Sequence, residues 1–265
     1  MRIRFTAAFA TLLAATVLLG ACGGGSDFGF VSACDFVGCR RSGSLASSEI
    51  APDYALSSSG GAVLVTAAFR SPGSIAANVQ LQAERLTVET EGPSSQALAG
   101  DAAGLFWSTS LPAVSADRSY QLLLVRADGD TLRSAVSLPA AFALLSPSAS
   151  LALNRNSAAF PIIVSTAPTE VLDSSTYVTC GSARTFVGGF PFNAPTAAAG
   201  GSSYLLQPAV LQVLIDTVAT GSTRQCTVEL NLGRSTQGTL AAGFRSGGSF
   251  VARYEQGVQI VFDRI

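Results

Sequence analysis

The hydrophobic pattern of the chain after about residue 50 has the two-residue period of half-buried β-strands. Residues 63–69 carry apolar side chains at every odd position. Residues 79–83 begin another strand on odd positions, whereas Leu86 and Val88 continue on even positions. We expect a β-bulge or bend near Glu84-Arg85 to cause this switch.

A hairpin is predicted where Tyr120–Arg126 and Leu132–Leu138 flank Asp128-Gly129-Asp130. An Asp-Gly pair between two apolar runs is typical of a tight turn between antiparallel strands. Two further strands are predicted at residues 105–111 and 140–146.

The second half of the chain repeats this pattern with one exception. Residues 208–218 have apolar positions at helical spacing and a proline at the start, so one short helix is predicted there. A terminal hairpin is expected to turn at Glu255-Gln256-Gly257, between strands at residues 250–254 and 258–262. The other strands are predicted at residues 160–166, 177–180, 185–190, 204–207 and 224–232.

The first group of strands ends at Pro147 and the serine-rich stretch 148–150. About seven short strands in roughly 100 residues resemble an immunoglobulin-like β-sandwich. The Cys-Trp-Cys pattern of antibody domains is absent, so the chain is similar to the broader class of bacterial immunoglobulin-like domains, at the level of fold. We therefore predict an all-β protein with two tandem immunoglobulin-like β-sandwich domains at residues 49–148 and 149–265.

The N-terminal residues have the order of a secretory signal. Arg2 and Arg4 precede the uncharged run Phe5–Leu19, and the small residues Gly20 and Ala21 follow it. The apolar run of about 15 residues is shorter than the roughly 20 that a membrane-spanning helix needs. Export with cleavage is therefore predicted, rather than retention as a membrane helix.

The segment Leu19-Gly20-Ala21-Cys22 resembles the lipobox of bacterial lipoproteins. The resemblance implies a signal peptide at residues 1–21 and a diacylglyceryl thioether with an acylated (for example palmitoylated) amine on Cys22. In that family, a residue other than Asp after the cysteine favours the outer membrane, and Gly23 follows here. The alternative is an ordinary secretory signal with Cys22 in a later disulfide. Residues 22–48 are interpreted as a Gly- and Ser-rich tether with a small disulfide loop.

Four cysteines remain beside Cys22, and an even number in an oxidising compartment predicts disulfides. Proximity along the chain pairs Cys34 with Cys39, and Cys180 with Cys226, which we expect to join two strands that are not neighbours. The spacings lack the short paired knuckles of zinc sites, so no metal site is predicted.

The composition limits the chemistry. Charged residues make up only 12% of the chain, about half the usual share, and histidine and lysine are absent. Without imidazole there is no His-activated nucleophile and no His-ligated metal, and without lysine there is no Schiff base. Cleavage before Cys22 would leave 14 arginines against 17 acidic residues, a formal charge of −3. Nucleic acid is therefore not an expected partner.

We predict no catalytic residue and no cofactor. The functional hypothesis is an exported, lipid-anchored envelope protein that acts through contacts with an envelope protein or with itself. One alternative is a carbohydrate-binding module with exposed aromatics such as Trp107, Tyr120 or Tyr254. A second alternative is a glycoside hydrolase that works without histidine. Its candidate carboxylates are Glu84, Glu89, Glu91, Asp128 and Asp130.

Overall fold

The computed structural model describes residues 39–59, 61–71, 77–90, 95–112, 119–148, 150–219 and 223–264. Two single-turn 3-10 helices, Ser42–Ser44 and Ser47–Glu49, lie near its start. The strands of the first half are β1 (Arg40–Arg41), β2 (Ala51–Ser58), β3 (Ala62–Ser71), β4 (Ala77–Gln80), β5 (Arg85–Thr90), β6 (Ser95–Ala97), β7 (Ala99–Gly100), β8 (Phe106–Pro112), β9 (Ser119–Val125) and β10 (Thr131–Ser137).

The second half contains nine described strands and the predicted helix, which is confirmed as α1 (Pro208–Asp216) with proline in its first turn. The strands are β11 (Leu144–Ser146), β12 (Leu151–Asn154), β13 (Phe160–Val164), β14 (Asp173–Cys180), β15 (Ala183–Gly188), β16 (Thr196–Ala198), β17 (Gly201–Leu206), β18 (Gln225–Gln237) and β19 (Ser249–Asp263). No helix in the described ranges is both long and apolar enough to cross a bilayer.

Three sheets carry these strands. The largest has eleven strands and the main order β1-β4-β3-β2-β19-β18-β14-β15, with β7, β8 and β12 paired outside this path. Two four-stranded sheets, β10-β9-β5-β6 and β11-β13-β17-β16, complete the set. One hydrophobic core joins the first small sheet to the large one, and a second core joins the other small sheet to it.

The first core is built around a buried tyrosine. The Tyr54 ring meets Phe69 and Phe250 edge-on, with ring centroids 5.7 Å and 5.4 Å apart. Aromatic pairs prefer this geometry because the positive ring edge faces the negative ring face. On the other side of this core, the predicted hairpin is confirmed as β9 and β10, with Leu122 and Leu124 fully buried.

The predicted bulge near Glu84-Arg85 is a change of sheet instead. β4 belongs to the large sheet and β5 to the small one, and residues 81–84 connect them. Val79 and Leu86 both point into the first core but from opposite sides of it. The switch of the apolar pattern from odd to even positions follows from this crossing.

The second core lies between the large sheet and β11-β13-β17-β16. Val178, Leu230 and Ile260 of the large sheet are fully buried in it, and so is Ile162 of the small sheet. The strand predicted at 140–146 is shorter than expected, since β11 covers only its end. β11 pairs with β13, so it opens the second sandwich rather than closing the first.

The predicted terminal hairpin is wrong, because β19 runs without a turn from Ser249 to Asp263. Gly257 lies opposite Asn231 of β18, and a Cβ at Gly257 would approach the Asn231 Oδ1 to 2.6 Å. This glycine therefore allows a close side-chain approach inside a strand and makes no turn.

Strand β19 contributes to both cores. Its first part pairs in parallel with β2, from Ser249 to Tyr254, and its last part pairs in parallel with β12. Phe250 is buried in the first core and Phe262 in the second. Residues 240–252 thus pack in the first core, although the sequence places them in the segment 149–265. The predicted all-β class with two β-sandwiches is confirmed, and the two sandwiches share a sheet.

The entry of β19 into the first sandwich gives a stability prediction. A Cβ at Gly248 would lie 2.4 Å from the backbone oxygen of Pro52. Because the clashing atom belongs to the backbone of β2, it cannot move away without disturbing that strand. We expect Gly248→Ala to lower the free energy of unfolding by about 1–3 kcal/mol, the usual cost of overpacking. Urea unfolding followed by Trp107 fluorescence measures this change.

Gly61→Ala is the matched control, since no atom lies within 4 Å of the Cβ it would add. That variant should be neutral or slightly stabilised through the unfolded chain. Equal unfolding midpoints for the two variants would contradict the close docking of β19 on β2.

Candidate functional site

Two of the predicted site residues, Cys22 and Cys34, lie outside the described residues. Lipidation of Cys22 and the Cys34–Cys39 disulfide therefore stay predictions. The Cys180–Cys226 disulfide is present, with Cα atoms 4.5 Å apart. Its placement differs from the expectation, because β14 and β18 are direct neighbours in the large sheet. It is a cross-strand link at the end of a ladder, and it closes a loop of 46 residues.

The first candidate carboxylate, Glu84, has a structural environment. Its side chain is only 1% exposed and lies 3.8 Å from the Arg126 guanidinium, measured from Oε1 to Nε. The backbone amides of Gln82 and Ala83 donate hydrogen bonds to its Oε2 at 2.8 and 3.1 Å. Arg126 in turn donates to the carbonyl oxygens of Ser42 and Leu45, so this pair ties the start of the described chain to the first sandwich.

The pKa of Glu84 results from opposing effects. Burial acts to raise it, because the charged form loses water. The nearby Ser42 hydroxyl, the hydrogen bond from the Gln82 backbone and the Arg126 charge together outweigh burial and leave the pKa below its ordinary value. A carboxylate held ionised in this way is unsuited to act as a general acid near neutral pH.

The other candidate carboxylates also have local partners. Glu89 pairs with Arg133 at 3.1 Å, and both side chains are partly exposed. Asp128 accepts a hydrogen bond from the Asp130 amide at 3.0 Å, which stabilises the turn between β9 and β10. Glu91 lies outside the described residues. Within the described ranges, no three Cys, Asp or Glu side chains are grouped so that they could hold a metal ion.

The three aromatics proposed for carbohydrate stacking do not form an exposed row. Tyr120 and Tyr254 are buried. Trp107 is half-buried against the first core, and its ring covers Gly100 of β7, where a Cβ would lie 3.1 Å from the indole. Trp107 therefore packs at the edge of the first core.

A cleft of about 540 Å³ lies at one end of the second sandwich, between the start of β14 and the loop after β15. Phe190, Phe192 and Tyr204 line its apolar part, and Asn193 and Arg253 add polar groups. The Tyr204 hydroxyl donates to the Glu170 carbonyl at 3.0 Å and accepts from the Leu172 amide at 2.9 Å. Burial raises the pKa of Tyr204, so its hydroxyl remains a donor. This tyrosine fixes the wall of the cleft.

The most distinctive surface is the outer edge of β15, which no short sequence motif indicates. This strand ends the path of the large sheet and pairs on one side with β14. Phe186 is 59% exposed, and its ring centroid lies 5.3 Å from that of Tyr177. Arg184 stacks 3.6 Å above the Tyr177 ring and pairs with Glu229 at 2.9 Å. We call Tyr177, Arg184, Phe186 and Glu229 the edge cluster.

No protein-family model matches the chain, and no curated protein does. Two solved structures are similar to it, both at 8% sequence identity. One is Dpr2 Ig1-Ig2 in complex with DIP-Theta Ig1-Ig3, which covers 81% of this chain and 100% of that chain with a TM-score of 0.26. The other is DIP-gamma IG1+IG2, which covers 80% of this chain and 97% of that chain with a TM-score of 0.22. Similarity this low carries no information about binding.

The Glu84–Arg126 pair gives a pH prediction. Because the folded pKa of Glu84 lies below the unfolded value of about 4.3, its stabilising contribution is present above that pH and is lost as the pH falls through the folded pKa. We expect Glu84→Gln to cost about 3 kcal/mol at neutral pH, since it leaves the buried Arg126 charge without a counter-ion. The difference from the wild type should shrink in acid.

Urea unfolding at several pH values measures both effects. Glu89→Gln is the control, since its ion pair is partly exposed and should contribute less than about 1 kcal/mol. A wild type and a Glu84→Gln variant with the same stability at every pH would show that the pair has no such role.

Proposed function

We propose that this chain is an exported lipoprotein, held at the outer membrane through a lipid on Cys22, that acts as a non-enzymatic protein-interaction module. The charged start, the apolar run and the segment Leu19-Gly20-Ala21-Cys22 support export and lipidation. Two or more acyl chains give stable anchoring where one chain is marginal. The glycines at 23–25 have the composition of a linker.

The Cys180–Cys226 disulfide is consistent with an exported protein. Disulfides persist in oxidising compartments such as the periplasm and are rare in the reducing cytosol. In the chain-entropy model a loop of this length contributes about 4 kcal/mol of stability.

A role without catalysis agrees with the surroundings of the candidate acids. Glu84 and Glu89 are engaged by arginines, and Asp128 is engaged by the turn that contains it. The whole sequence contains no histidine to activate a nucleophile. These three carboxylates therefore serve ion pairs and a turn.

The observation that carries the interaction proposal is the open edge of β15 with Phe186 on it. The unpaired N–H and C=O groups of an edge strand bind an incoming strand by backbone hydrogen bonds, and alternate side chains give selectivity. A large exposed aromatic beside such an edge is typical of an interaction surface, since aromatics are enriched at the centres of protein interfaces.

Photo-crosslinking in intact cells tests this proposal. A photoreactive phenylalanine analogue replaces Phe186 in one strain and Val213 in another, because Val213 is 64% exposed but lies on the helix α1 and not on a strand. We expect a discrete crosslinked protein band from position 186 and none from position 213. No adduct from position 186, or equal diffuse adducts from both, would remove the interaction proposal.

The Cys22→Ser variant tests the anchor in the same cells. The wild type should sediment with the outer membrane, and the variant should be soluble or retain an uncleaved leader, because only the thiol accepts the lipid. Mass spectrometry of the N-terminal peptide identifies the modification. A variant whose leader has been removed and that still fractionates with the outer membrane would contradict lipid anchoring.

A further inference from the structure

The β15 edge differs from the other sheet edges in the described part of the chain. β1 and β7 have two residues, β6, β11 and β16 have three each and β12 has four, so all are shorter than β15. The outer side of β8 is met by β7 and by the Gln96 side chain, which donates to Thr109 Oγ1 and the Ser110 carbonyl oxygen. β10 has seven residues, but Thr239 bridges to Ala135 on its outer side. Short edges and covered edges are the usual protection against strand addition. β15 has six residues, of which the first four, Ala183 to Phe186, are exposed and pair regularly with β14, and the register shifts only after them, at Val187.

The side chains on β15 are ordered by their neighbours. Arg184 is fixed between the Tyr177 ring and the Glu229 carboxylate, and Phe186 packs beside Tyr177. Arg184 and Phe186 lie two residues apart, so both point to the same face of the sheet. Little conformational freedom is left for this face to lose on binding.

We propose that the β15 edge binds the β15 edge of a second copy of this chain, in an antiparallel pairing about a twofold axis at Thr185. This proposal rests on the proposed interaction function and names its partner. A twofold axis perpendicular to the sheet keeps each face on its own side, so only residues of equal parity can lie opposite each other. The axis must therefore lie midway between the two copies of one residue, which are directly opposite each other.

The side chains favour Thr185 over Arg184 as the central residue. An axis at Arg184 would place the two Arg184 side chains directly opposite each other, and like charges in that position are destabilising. An axis at Thr185 places Arg184 of each copy opposite Phe186 of the other. The same pair of groups, an arginine and an aromatic ring, already makes the contact between Arg184 and Tyr177 at 3.6 Å. The strand is self-complementary in this register.

The resulting interface is small. The pairing covers the five residues from Ala183 to Val187 in each copy. Interfaces of this size are weak in solution, which fits a reversible contact. Lipid anchoring would raise the effective concentration of the chains at the membrane and favour the dimer there.

Disulfide trapping tests the register. In the proposed dimer the two Thr185 Cα atoms lie about 4.5–5.5 Å apart, within the range that a disulfide bridges. We expect the Thr185→Cys variant of the purified full chain to form a covalent dimer under mild oxidation. Ala183→Cys is the matched control, because it is equally exposed on the same strand, but its two copies would lie far beyond disulfide range.

A second variant tests the side-chain contacts. Phe186→Arg in the Thr185→Cys background should reduce trapping at least tenfold, because it places an arginine opposite Arg184 of the other copy. The unfolding midpoint should stay close to that of the parent, because position 186 is exposed in the single chain. Analytical ultracentrifugation of the wild type should detect a concentration-dependent dimer that Phe186→Arg lacks.

Equal trapping of Thr185→Cys and Ala183→Cys would indicate random collision and overturn the proposed pairing. The pairing would also be overturned if the wild type is monomeric at every concentration and the Thr185→Cys variant is not trapped. The in-cell crosslinks separate this failure from failure of the function, since an adduct from position 186 to a different envelope protein would support an interaction module while excluding the second copy as partner.

Discussion

Strand β19 is hydrogen-bonded to β18 along the whole of that strand, to β2 near its start and to β12 near its end. Its even-numbered side chains enter the first core at Phe250 and Ala252 and the second core at Val258, Ile260 and Phe262. Each large apolar side chain of this kind contributes about 1.5–3 kcal/mol when buried. The strand cannot leave one core without breaking the backbone ladder that holds it in the other.

This shared strand makes the large sheet continuous through both sandwiches. Domains joined by a loop move independently unless a large apolar interface holds them together. Here the link is a backbone ladder, so the position of β15 at one end of the sheet is fixed relative to β2 and β3. A fixed, exposed edge is better suited to strand pairing than one on a mobile segment, because less freedom is lost on binding.

Local sequence was sufficient where one short motif determines the structure. The Asp128-Gly129-Asp130 turn and the proline at the start of α1 are examples, and both elements are confirmed. The turn predicted at Glu255–Gly257 is absent. That prediction gave more weight to the glycine and its polar neighbours than to the two-residue period of the apolar positions. The buried side chains lie at even positions on both sides of Gln256, from Phe250 to Tyr254 and from Val258 to Phe262, and this unchanged parity indicates one strand. The switch near Glu84 was ambiguous, since a bulge and a change of sheet give the same pattern.

The candidate site depends on information that no short segment contains. Residues 185–190 were predicted as a strand, but whether a strand lies at the edge of a sheet depends on the pairing of all the others. The Arg184–Tyr177 contact joins two strands, and its residues carry no motif. In the sequence, Glu84 likewise cannot be told from a surface acid. Its partner Arg126 lies 42 positions later in the sequence and comes beside it only inside the folded protein.

The coupling of the two sandwiches through β19 is the central claim, and one measurement tests it most directly. The Cys180–Cys226 disulfide lies in the second sandwich, whereas Trp107, the single tryptophan of the sequence, packs against the first core. Replacing both cysteines by alanine should lower stability by about 4 kcal/mol. If the sandwiches unfold together, the urea midpoint reported by Trp107 fluorescence falls with this loss. An unchanged Trp107 midpoint, with earlier unfolding of the second sandwich alone, would contradict the account.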